Sequence, residues 1–230
     1  MSDDRQRDRA AGARPSPPGR APRASVIGAG LVLAYLTMWV PPAARAAGVD
    51  LPGDGPVTAL WLNWLAVALL LGHVRFVERQ TLASLLLTRP SRTDLEYAVL
   101  AWGVVMAWSW LIGLIRPQPA NEGTDTITAL PVVAVAALVV TVAVTEEILF
   151  RAYPIERLTA LTGRRAIGVA VSAALFVAPH LTFFSLDWLL YQGIGTLTVY
   201  VLYLWRRNLP ACMLLHLLSN APILIPTVLS

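Results

Sequence analysis

Seven apolar stretches divide the chain, near residues 24–40, 57–74, 97–115, 128–150, 166–183, 186–205 and 209–229. Each is about long enough to cross a hydrocarbon core of roughly 30 Å as a helix. Shorter polar connections rich in Arg and Pro separate them. The pattern predicts an all-α fold, a polytopic transmembrane helical bundle of about seven spans. Residues 1–23 are polar and rich in Arg, Pro, Ala and Asp; they cannot form a core and are expected to be a disordered tail. Trp39, Trp61, Trp102, Trp110, Trp188 and Trp205 fall at or near run ends, where an aromatic belt would lie. T-L-A-S-L-L-L, in the connection at 75–96, reads as a short interfacial helix. After the tail (1–23), three of the runs lie within residues 24–127 and four within residues 128–230.

Composition agrees. Of 230 residues 56% are hydrophobic and 14% charged, against about 25% charged in soluble domains. All 18 basic residues are Arg, which points to a GC-rich, bacterial genome. The net charge of +4 lies in connections between apolar runs and gives no reason to expect nucleic acid. A lipid bilayer is the implied partner. The single Cys212 allows no internal disulfide and no cysteine metal cluster.

The arginines also orient the bundle. Six lie in the tail; Arg75, Arg79, Arg89 and Arg92 follow the second run; Arg157, Arg164 and Arg165 follow the fourth; Arg206 and Arg207 precede the seventh. The opposite side has only Arg45 and Arg116. The positive-inside rule then places the N-terminus in the cytoplasm, in a bacterial inner or plasma membrane. The sequence P-P-A-A-R-A-A, with Ala44-Arg45-Ala46 as an A-x-A site, also has the shape of a signal-peptide end. The segments before it are long for that, and cleavage would remove the first span without inverting the others.

Three polar groups interrupt the apolar runs. T-E-E-I-L-F-R brings Glu146, Glu147 and Arg151 onto the end of one of the most hydrophobic segments. F-V-A-P-H brings His180 into the fifth run, and H-L-L-S-N brings His216 and Asn220 into the seventh. Ionisable groups inside spans usually face the bundle interior, a partner or a water cavity. Glu147 and Arg151 are i,i+4 neighbours and can pair, while Glu146 is turned about 100° away. His216 and Asn220 share one helix face. Pro179 is expected to kink the helix beside His180.

Level decides whether these groups can meet. His180 lies about 21 Å into its span from Ala166. Glu146 would be only about 6 Å from a helix end at Phe150, but roughly 18 Å from an end at Leu158. The fourth helix is therefore expected to continue through Arg151, bent at Pro154 and turned into the next span at Gly163. A carboxylate, two imidazoles and a carboxamide at one buried point suit hydrolysis, with Glu146 as general base for water and His216 and Asn220 as donors to an oxyanion. Two His and a Glu also make a familiar catalytic zinc set. H-E-x-x-H is absent, though, and the His residues lie on different helices, so no cofactor is expected, with zinc as the alternative. Phe176 reads as core packing, His73 and Asp187 as interfacial, and Gln192 is left open.

E-E-I-L-F-R, F-V-A-P-H and H-L-L-S-N, in that order on successive apolar helices, resemble the three motifs of the CPBP family: EExxxR, FxxxH and HxxxN or HxxxD. That family comprises the type II CAAX prenyl endopeptidases and the bacteriocin-processing, Abi-type intramembrane proteases. The resemblance covers roughly residues 128–225. It implies a glutamate-dependent intramembrane endopeptidase, once classed as a metalloprotease, acting on a membrane-associated or exported peptide or protein. By position it implies Glu146 as the base with His180 beside it, His216 and Asn220 at the oxyanion, and Glu147 and Arg151 in support. Ala152 departs from the Gly that many members carry after the motif Arg. Other readings are a non-catalytic immunity or scaffold protein with the same fold, and a proton-coupled transporter, for which repeated, broken spans would be the sign.

Overall fold

A computed structural model describes residues 22–53 and 55–229; the expected disordered tail, 1–23, lies almost wholly outside them. All seven apolar runs appear as helix, with no strand among the described residues. The first run is not straight. It forms α1 (Ala24–Ala34) and α2 (Leu36–Ala46), bent by 67° at Tyr35. Then follow α3 (Pro56–Gly72), extended by a π-helical turn at His73–Val77, and α4 (Arg92–Ile115). The connection between them contains a short 3₁₀ helix, Leu82–Leu85, inside the T-L-A-S-L-L-L segment. A seven-residue α5 (Glu122–Thr128) precedes α6 (Val132–Glu146). A second π-helical turn, Glu147–Ala152, leads into α7 (Tyr153–Thr162). The chain ends with α8 (Arg165–Phe184), α9 (Trp188–Arg206), α10 (Leu209–Asn220) and α11 (Leu224–Leu229).

Five of these segments are long and apolar enough to cross a membrane, or six if the bent α1–α2 pair counts as one span. This agrees roughly with the expected number of about seven. The shortfall is α9, 19 residues long, which Gln192, Tyr191, Tyr200 and Tyr203 make less apolar than the others. The outer face of α4 shows what surrounds the bundle: Leu100, Val104, Trp110 and Leu114 are exposed. An apolar surface of that extent belongs against lipid.

The fourth run behaves as its level required. Val132–Thr162 is one continuous 31-residue helix that carries Glu146 well away from its end. The expected bend at Pro154 takes another form. A proline ring clashes with the carbonyl four residues back and gives it no N–H. Here that carbonyl belongs to Phe150, inside the π turn, and it accepts a hydrogen bond from the Ser172 hydroxyl of α8 instead. The widened turn accommodates the proline, and the neighbouring helix satisfies the carbonyl. Gly163 ends α7 with a left-handed backbone, φ 70°, and its N–H reaches the Thr159 carbonyl at 2.8 Å, so α7 and α8 pack as an antiparallel hairpin. At Pro179, by contrast, α8 runs through as a single helix.

Ion pairs fix the helices at the arginine-rich end. Glu78 is buried and accepts from Arg157 Nε (2.8 Å) and Tyr153 Oη (2.7 Å). Glu156 accepts from Tyr203 Oη (2.8 Å) and Arg207 (2.6 Å), tying α7 to the end of α9. Asp94, in the capping box that starts α4, pairs with Arg206 at 2.8 Å. His73, expected at the interface, is instead buried, with Nε2 3.0 Å from the Val26 carbonyl; the π turn brings it inward. At the other end Asp187 pairs with Arg116 at 2.9 Å in a half-exposed position.

Where α1 crosses α7, Gly30 leaves room for Tyr153: a Cβ there would lie 1.7 Å from the Tyr153 hydroxyl oxygen. Gly30→Ala is therefore expected to push Tyr153 off Glu78 and to cost about 1–3 kcal/mol, as overpacking does. Thermal unfolding in detergent reads this directly; an unchanged midpoint would mean that Tyr153 moves freely.

Candidate active site

Glu147 and Arg151 are the most deeply buried charges in the bundle, 0% and 1% exposed. Removing two ions from water costs several kcal/mol each, so they need close partners. Glu147 Oε1 accepts from Arg151 Nη1 within the π turn, and it also meets His216 Nδ1 of α10 at 2.7 Å. The Arg151 guanidinium lies between two rings, 4.3 Å from the Phe176 centroid on α8 and 4.7 Å from that of Tyr200 on α9. Tyr200 Oη is in turn 2.8 Å from Ser172 Oγ. The charged turn is therefore held by three helices at once, through a carboxylate–imidazole contact, two ring faces and the bond from Ser172 to the Phe150 carbonyl.

Glu146, one residue earlier, is held differently. Its side chain is 15% exposed, and Oε2 lies 3.9 Å from His216 Nε2. The two ring nitrogens of His216 thus face two adjacent glutamates, Nδ1 in contact with Glu147 and Nε2 across a wider gap from Glu146. A carboxylate can only accept, so the Nδ1 contact is a donation from His216 when Glu147 is ionised. Nε2 is then the nitrogen left for chemistry. In the neutral ring it accepts a proton; in the charged ring it donates to an anion.

The structure brings Glu146, Glu147, Arg151 and His216 into one cluster. His180 reaches that cluster through a ring. It stacks at 4.5 Å on Phe176, which itself lies 6.4 Å from the His216 ring. Trp188 (4.7 Å) and Phe184 (6.1 Å) pack against His180 on other sides, and its Nδ1 is 2.7 Å from the Phe176 carbonyl. Since a carbonyl only accepts, His180 donates from Nδ1, and Nε2 is again the free nitrogen. Asn220 is the last residue of α10, one turn beyond His216 and half-buried, and no hydrogen bond joins it to the cluster among the described residues. No three His, Cys, Asp or Glu side chains among the described residues are grouped as metal ligands.

Two contributors are absent from the motif reading. Ser172 and Tyr200 hold the π turn and its arginine, yet neither stands in a motif. Ser172 has one sequence signal, because 172, 176 and 180 follow at four-residue intervals on one face of α8. Tyr200 has none. Phe176, read as core, is buried and is also the surface on which Arg151 and His180 both rest.

Residues 128–222 match a family model described as Type II CAAX prenyl endopeptidase Rce1-like. No curated protein and no solved structure matches the chain. The matched residues run from the start of the fourth apolar run to just past Asn220 and contain every residue of the buried cluster. Residues 128–222 of this multi-pass membrane protein are thus similar to the Rce1-like type II CAAX prenyl endopeptidases, a protease family, which supports the resemblance to the CPBP family.

Proposed function

We propose that the chain is an intramembrane endopeptidase in which Glu146 activates water against a peptide bond of a membrane-associated or exported substrate. The observation that carries the reading is the gap between Glu146 Oε2 and His216 Nε2. At 3.9 Å it is too long for a hydrogen bond. It is short enough for one oxygen to sit within about 2.8 Å of both atoms. A water there would give its proton to Glu146 as its oxygen bonds to the substrate carbonyl carbon. The oxyanion that forms would be met by Asn220, from the end of the same helix, and by His216 Nε2 with the ring in its charged form, in which both nitrogens donate. Glu146 would then hand the proton to the departing amine as the C–N bond breaks. His180, anchored through Nδ1, offers Nε2 as a further acceptor beside the water. Glu147 and Arg151 support the chemistry by fixing the ring of His216.

In this reading residues 128–230 form the catalytic core and residues 24–127 pack around it. The arginine-rich end faces the cytoplasm of a bacterial cell. The base in this reading is the Glu146 carboxylate, and no zinc takes part.

The test is cleavage by the purified chain, reconstituted in vesicles, of membrane-anchored peptides with and without a lipidated C-terminus, with products identified by mass. Cleavage is expected to continue at an unchanged rate in a strong chelator. Loss on chelation that zinc restores would replace the glutamate mechanism, and absence of cleavage of any peptide would count against the protease reading.

A further inference from the structure

On the opposite side of α3 from the buried ion pairs, the π turn and the residues after it present a second kind of surface. In H-V-R-F-V-E-R, residues 73–79, His73, Val74 and Glu78 are buried, whereas Arg75, Phe76, Val77 and Arg79 are exposed, Phe76 by 78%. Glu78 is the nearest acid in the chain, and Arg157 and Tyr153 occupy it from within. Neither Arg75 nor Arg79 has an acidic partner among the described residues. Both arginines line one groove of about 580 Å³.

The shape of that groove is specific. Ala68, Leu71, Gly72 and Arg75 follow at i, i+3, i+4 and i+7 along α3 and the start of its π extension, and Arg79, just past the end of that turn, lines the same groove. Its inner end is apolar and lies within a membrane-crossing segment; its outer end is doubly cationic. Gln80, Thr81 and Leu82, from the chain just past the π turn, also line the groove. A side chain at Gly72 would meet nothing within 4 Å, so glycine keeps the middle of the stripe open. Arg79 itself stands in the left-handed region, φ 56°. Non-glycine residues adopt that conformation only where the surroundings hold them there, and such residues cluster at ligand sites.

From this geometry we infer that the groove binds one anionic phospholipid, its phosphate between Arg75 and Arg79 and an acyl chain along Ala68, Leu71 and Gly72. Two unpaired guanidinium groups match a phosphate, and the apolar stripe leading from them into the bilayer matches a chain attached to it. A free phosphate would satisfy the first feature but not the second. The site does not depend on the active-site reading, because it shares no residue with the catalytic cluster.

The experiment uses the full chain purified in detergent. Retained lipid is counted by native mass spectrometry after addition of phosphatidylglycerol, phosphatidylcholine or inorganic phosphate. Phosphatidylglycerol is expected to remain bound one per chain. Arg75→Gln/Arg79→Gln should weaken retention roughly thirtyfold, from about 1 kcal/mol per arginine near a charged lipid surface. Gly72→Leu should weaken retention as well, because it fills the stripe and leaves both charges in place. Equal retention of phosphatidylcholine, retention unchanged in both variants, or displacement of the lipid by millimolar inorganic phosphate would each overturn the proposal.

Discussion

Glu146→Gln is expected to abolish cleavage while leaving the protein folded. Glutamine keeps the shape of the side chain and removes its ability to take a proton from water. A positioned general base contributes about 10²–10⁴-fold, so kcat should fall by at least that range, with KM little changed because the side chain is not asked to hold the substrate. Stability should move by less than about 0.5 kcal/mol, since Glu146 Oε2 is 3.9 Å from its nearest charged neighbour, His216, and forms no hydrogen bond that the change would break. Glu146→Asp is a useful companion. It retains the carboxylate but draws it back by one methylene, and a misplacement of about 1 Å can cost on the order of 10²-fold. Rates measured for both variants on the same peptide, with unfolding midpoints alongside, decide the matter. Cleavage by Glu146→Gln at the wild-type rate would remove Glu146 from the mechanism.

Some of this cluster could be read from the sequence because it obeys helical arithmetic. The spacing of Glu147 and Arg151 predicted their pairing, and the residue count from Ala166 to His180 required the fourth helix to continue past Phe150, which it does as part of Val132–Thr162. What escaped is the part that depends on how helices meet. The contact between Glu147 and His216 spans 69 residues, and no local periodicity encodes it; the sequence grouped His216 with Glu146, His180 and Asn220 but not with Glu147. The π turn escaped for a related reason. Pro154 announced trouble for the Phe150 carbonyl, but a bend and a widened turn relieve it equally well. The choice rests with Ser172, a residue of the next helix that supplies the missing donor. At the end of α3, His73 looked interfacial because it closes an apolar run. The turn that follows winds as a π-helix and places the ring against the backbone of α1. The span count agrees with the expected seven to within one or two; the run in α9, where tyrosines and Gln192 sit among apolar residues, is long but less apolar than the others.

Glu147 has two tasks, and a pair of variants should separate them. Glu147→Ala alone leaves the Arg151 guanidinium buried without its carboxylate. Removing one member of a buried pair typically costs about 3–5 kcal/mol, a large share of the roughly 5–15 kcal/mol that holds an ordinary domain together. The rings of Phe176 and Tyr200 can offset only part of this, because cation–π contacts of desolvated groups contribute about 2 kcal/mol. Unfolding should therefore occur at a markedly lower temperature. Adding Arg151→Leu removes the orphaned charge and puts an apolar side chain between the same two rings. Exchanging a whole buried pair for apolar groups is often neutral or stabilising, so the double variant should regain most of the lost stability. Cleavage should not return with it. In both variants His216 Nδ1 has lost the acceptor that fixes the ring 2.7 Å away, and Nε2 no longer faces Glu146 in a defined orientation. Loss of the carboxylate that orients a catalytic imidazole can cost up to about 10⁴-fold in other hydrolases. Unfolding midpoints and kcat for the wild type, the two single variants and the double variant form a closed cycle. If activity recovers together with stability in the double variant, Glu147 serves only to neutralise Arg151 and the orientation of His216 has another source.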